Sequence, residues 1–120
     1  MAKTFDELLA NRPVFQPAEV DIEGLGEKLF LHRFSAETFN QLMQSPNVEG
    51  MDEAKAEQVM ADFQFDKVLK FLRGADYKPT KSARKDLLNV FTAAQLRDIN
   101  NKGFKLNGFG ESSLKDALKN

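Results

Sequence analysis

The sequence predicts a mostly helical α+β fold, an N-terminal β-hairpin packed on about five or six helices. Three observations carry that expectation. Val20-Asp21-Ile22 alternates apolar and polar residues, Glu23-Gly24-Leu25-Gly26-Glu27 supplies a glycine-bearing turn, and residues 28–34 continue as a second strand. From Ser35 onward, cap residues repeatedly precede apolar residues at three- and four-residue spacing. The 120 residues are enough to bury roughly two-thirds of the unfolded chain's surface around one core. The expected organisation is therefore a single domain over 1–120. A short helix or arm occupies 1–13, an extended segment and hairpin 14–34, a helical body 35–108 and a tail helix 109–120.

Each element has a local reason. Thr4 and Glu7 have the spacing of a capping box, with Phe5, Leu8 and Leu9 behind it; Asn11 and Pro13 close that helix after about two turns. A helix so short needs a surface to pack on, or acts as an arm. Pro13 and Pro17 keep the residues between them extended. In the second strand, Leu29/Leu31/Arg33 and Phe30/His32/Phe34 form two faces, each apolar at two of three positions, so either face suits the core. A strand of that kind is commonly covered on both sides, here by helices of the same chain or by a helix and a second copy. Ser35 caps a helix through Phe39, Leu42 and Met43, which Ser45-Pro46 stops. Asp52 opens the longest helix, which ends at Gly74 and is apolar around much of its circumference, as a central helix is. Thr80 or Ser82 caps a helix over 83–90, and Thr92 with Gln95 makes a second capping box for a helix ended by Asn107-Gly108. Gly103 costs that last helix about 1 kcal/mol relative to alanine unless something packs closely against it. Leu114, Ala117 and Leu118 suit a final short helix over 111–119.

Composition narrows the function classes. With no cysteine, disulfides and thiolate chemistry are excluded and a reducing cytoplasm is the expected setting. No apolar run approaches the ~20 residues that cross a bilayer, and the acidic, helix-capped start does not resemble a signal peptide. Eleven phenylalanines stand beside one tyrosine and no tryptophan. Phenylalanine has no polar handle, so those that stay exposed are candidate docking surface. Charge is divided: residues 1–62 hold 12 acidic against 5 basic side chains, and residues 63–120 hold 6 against 12. That polarity is compatible with head-to-tail association of copies, with separate partners for the two halves, or with a monomer whose opposite surfaces attract nothing.

Little in the chain points to catalysis. His32 is the single histidine and lies within a strand, so a serine triad would have to recruit it. A zinc site lacks its usual ligand set, and the carboxylates around the hairpin lack the alternating spacing of a calcium loop. Gly24-Leu25-Gly26 leads into a strand, whereas phosphate-binding glycines lead into a helix N-terminus, so no cofactor is expected there. The basic run Lys67, Lys70, Arg73, Lys78, Lys81, Arg84 and Lys85 suits an acidic protein partner. It also leaves open a nucleic-acid-binding regulator, with Tyr77 or Phe71 to stack on a base.

Several of these stretches together resemble the tail assembly chaperones of long-tailed bacteriophages. The matching residues are Val20-Asp21-Ile22, Gly24 to Gly26, Leu29-Phe30-Leu31, Arg33-Phe34-Ser35-Ala36 and the helix through Phe39 and Leu42. The later half follows the same plan: a long apolar helix (59–72), a polar connector (75–81), a short helix (83–90), and a helix (92–106) running into Asn107-Gly108. The resemblance covers most of 14–108; the basic connector is longer than the family's, and residues 111–120 lie beyond it. It implies a non-catalytic assembly factor of the bacterial cytoplasm that forms homo-oligomers and binds the tape-measure protein. In that family a frameshifted C-terminal extension commonly engages this client. Another small phage or bacterial adaptor or structural protein is the alternative. The candidate protein-interaction residues are Phe30, Phe34, Lys78, Lys81, Arg84 and Lys85.

Overall fold

A computed structural model describes residues 2–108. These residues form α1 (Phe5–Ala10), β1 (Ala18–Asp21), β2 (Lys28–Leu31), α2 (Ala36–Leu42), α3 (Glu53–Arg73), α4 (Lys81–Val90) and α5 (Ala93–Leu106). The expected α+β, mostly helical architecture is present: the described residues form an antiparallel hairpin near the N-terminus and five helices and are 54% helix. The tail helix expected over 111–119 lies outside the described residues.

Local chemistry sets the helix starts. The side chains of Ser35, Asp52, Thr80 and Thr92 each accept a hydrogen bond from a backbone amide of the first helical turn. Thr80 is the cap of α4, which therefore begins at Lys81, before the expected residue 83. In the hairpin Ala18 pairs with Leu31, Glu19 with Phe30, Val20 with Leu29 and Asp21 with Lys28. Gly24 and Gly26 carry the turn at φ 70° and 77°, values that L side chains rarely adopt.

The second strand is shorter than expected. It stops at Leu31 because the backbone beyond turns to the helix ends. The His32 N–H donates to the Phe71 carbonyl (2.8 Å) near the end of α3. The Phe34 N–H donates to Asn107 Oδ1 (2.8 Å) at the end of α5. Asn107 Nδ2 in turn donates to the carbonyls of Gly103 (2.9 Å) and His32 (3.3 Å). One asparagine thus joins the segment after β2 to the end of α5 through both its side-chain oxygen and its side-chain nitrogen.

The Leu29/Leu31 face is the core face. Leu31, Phe71 and Ile99 are the largest fully buried side chains. Phe34, freed from strand alternation, stacks on Phe71 at 5.8 Å between centroids, and Phe104 meets Phe71 edge-on at 5.5 Å. Phe30 remains 58% exposed, so the described residues cover one face of this strand and not both. Gly103 is buried against Phe71: a Cβ there would lie 2.5 Å from the ring. The close packing that justifies a mid-helix glycine is Phe71.

The hairpin turn is clamped to α5. The Glu23 N–H donates to Asp98 Oδ2 (2.8 Å), and Lys102, paired with Asp98 at 2.9 Å, also donates to the Asp21 carbonyl. The Glu23 amide first, then Lys102, hold the Asp98 carboxyl below its ordinary range. A carboxyl depressed on folding adds stability that is fully present above its unfolded pKa of about 3.9 and is lost as pH falls through the folded value. Asp98→Asn is expected to cost about 1 kcal/mol at neutral pH. Urea denaturation should show that deficit shrinking as the pH is lowered below about 4.

Candidate functional site

The six candidate interaction residues fall in separate places. Phe30 lies on the open face of the hairpin beside Glu19. Phe34 is half-buried against Phe71 and lines a small cavity with Thr38, Gln41, Leu42, Lys70, Ala75 and Asp76. Lys78 is exposed in the connector between α3 and α4. Lys81, Arg84 and Lys85 line a cleft between α3 and α4, completed by Gln58, Asp62, Phe65 and Leu88, with a volume of about 520 Å³.

The basic run is less of a charged surface than its sequence implies. Lys67 is buried, its ammonium 4.4 Å from the centroid of the Phe63 ring and 5.2 Å from that of Phe104. Desolvation pulls its pKa down. Lys70 donates to the Ala75 carbonyl (3.4 Å), and Arg73 lies over the Tyr77 ring at 5.0 Å. Arg84 forms a bidentate pair with Asp66 (2.7 and 3.0 Å) and lies 3.7 Å from Asp62. The Asp66 hydrogen bond raises the Arg84 pKa. Phe71, a candidate for base stacking, is fully buried. Of the run, Arg73, Lys78, Lys81 and Lys85 are exposed, and Arg73 is engaged with the Tyr77 ring. Lys81 and Lys85 stand in the first turns of α4, which has no acid in its first turn, so they oppose the helix dipole.

The structure adds a surface that residue spacing did not single out. No residue of α1 is buried. Phe5 is 72% exposed and Val14 79%, and Leu8, Leu9 and Phe15 are exposed with them. Arg33 Nη1 donates to the Gln16 carbonyl (3.0 Å) and ties the far end of this arm to the hairpin. The sequence signal was the helix length: six residues cannot hold helix alone, and isolated helices need roughly 12–15 residues even in favourable sequences. Val14 and Phe15, held between two prolines, add two more exposed apolar side chains beyond the helix.

His32, read as an unpromising catalyst, packs its ring beside Gly74. Among the described residues no group of three His, Asp or Glu side chains is placed to hold a metal ion, and no helix is long and apolar enough to cross a membrane. No protein-family model, curated protein or solved structure matches the chain.

Proposed function

We propose that this chain is a non-catalytic tail assembly chaperone of a long-tailed bacteriophage or prophage. It self-associates and holds the tape-measure protein soluble in the bacterial cytoplasm during tail morphogenesis. One observation carries the reading beyond the sequence resemblance: the unpacked arm of Phe5, Leu8, Leu9, Val14 and Phe15. A row of large apolar side chains on a short capped helix and an extended segment suits the apolar stripe of a long amphipathic helical client. The arm gains from the contact too, because docking stabilises a helix too short to persist alone.

Co-expression with the tape-measure protein, with any frameshifted longer form included, tests this. The parent chain is expected to keep the client in the soluble fraction and to co-purify with it. The triple variant Phe5→Ser, Leu9→Ser, Phe15→Ser is expected to lose most of that effect. Its own denaturation midpoint should barely move, because exposed positions outside the core contribute within about 0.5 kcal/mol each. A client that stays insoluble beside the parent chain, or an arm variant as effective as the parent, overturns the reading.

A further inference from the structure

The open face of the hairpin and the cleft between α3 and α4 are complementary in both charge and apolarity. On the hairpin, exposed Glu19, Asp21 and Lys28 surround Phe30, and the turn adds exposed Glu23 and Glu27. Four carboxylates against the ammonium of Lys28 leave this face acidic, the nearby Lys102 being paired with Asp98, and an aromatic side chain 58% exposed stands at its centre. In the cleft, Lys81 and Lys85 flank Phe65 and Leu88, and Leu88 is 57% exposed. Arg84 is held by Asp66, with Asp62 nearby, so the two lysines are the cleft's cations free to meet a carboxylate.

We propose that the hairpin face of one copy seats in the α3/α4 cleft of the next. Phe30 enters between Phe65 and Leu88, and Glu19 and Asp21 meet Lys81 and Lys85. A second copy satisfies both surfaces at once: it covers the strand face that the described residues leave open and neutralises cations that oppose the α4 dipole. A buried aromatic anchor ringed by charge pairs is the usual anatomy of a small specific interface. Because the two surfaces differ, the contact is head-to-tail, and copies add to one another into closed rings or open chains. The inference rests on the self-association part of the proposed function and not on the client, since the arm takes no part in it.

Sedimentation velocity on the purified full chain, over a concentration series at low and high salt, tests the contact. Wild type is expected to form a series of species above the monomer that shrinks as salt rises. Lys81→Glu with Lys85→Glu, and separately Glu19→Lys with Asp21→Lys, should each weaken association by at least about tenfold, with circular dichroism unchanged. Mixing the two variants should restore association, because each mutated surface then faces one of opposite charge. Phe30→Ser should weaken association alone, whereas the arm variant should associate like the parent. A wild type that stays monomeric overturns the contact, and client solubilisation would then still stand or fall separately. An association indifferent to the charge swaps, or lost only in the arm variant, overturns it too, in favour of another interface.

Discussion

Phe71→Ala is expected to destabilise the chain by about 3–5 kcal/mol. Phe71 is fully buried and packs against two other parts of the fold at once, the segment after β2 and α5. Its ring stacks on Phe34 beyond the hairpin, meets Phe104 of α5 edge-on, and closes over Gly103. Truncation removes the transfer energy of the ring and leaves a cavity whose walls are held by backbone hydrogen bonds. The His32 amide on the Phe71 carbonyl and the Phe34 amide on Asn107 resist collapse, which places the cost in the upper part of that range. Against a total stability of roughly 5–15 kcal/mol, such a loss leaves a large unfolded fraction. Urea titration followed by circular dichroism should show a midpoint shifted far below that of the parent, and a shift equivalent to less than about 1 kcal/mol would contradict the central place given to this ring.

Gly103→Ala is expected to destabilise by about 2 kcal/mol, opposite in sign to what helix propensity alone predicts. Alanine would gain about 1 kcal/mol in a helix interior. Its Cβ, however, would lie 2.5, 2.6 and 2.7 Å from three carbons of the Phe71 ring. That ring cannot swing aside, because Phe34 and Phe104 pack on it, so overpacking at the upper end of about 1–3 kcal/mol or beyond outweighs the propensity gain. The discriminating measurement is a double-mutant cycle. In a Phe71→Ala background the three contacted ring carbons are gone, and Gly103→Ala should become neutral or stabilising. Equal costs in both backgrounds would show that the glycine serves some other purpose.

These two residues mark the boundary of what the sequence made legible. The cap positions Ser35, Asp52 and Thr92, the hairpin turn and the ends of the long helix follow from chemistry within a few residues, and each stands where expected. Gly103 announced a close neighbour without naming it, since the neighbour lies on another helix. The premature end of β2 depends on carbonyl and amide partners at Phe71 and Asn107, far along the chain. Charge was legible as composition but not as surface. Lys67 reads as a cation on a basic helix end, yet its neighbours Phe63 and Phe104 bury it; Arg84 reads as exposed, yet Asp66 holds it. A reversal at Arg84 would therefore disturb the packing of α4 on α3, whereas Lys81 and Lys85 report on the surface alone. The arm was visible as a helix too short to stand by itself, but the full extent of its apolar row, through Val14 and Phe15, emerged only with the fold.

A chaperone that covers a long helical client with copies of itself must form a complex of many copies on one client. Light scattering on the complex purified after co-expression, combined with its composition, measures that number directly. One tape-measure chain is expected to carry several copies of this protein, with fewer copies retained at high salt or with the Lys81→Glu, Lys85→Glu variant. A complex with a single copy per client, or a client that elutes without this chain, would contradict it.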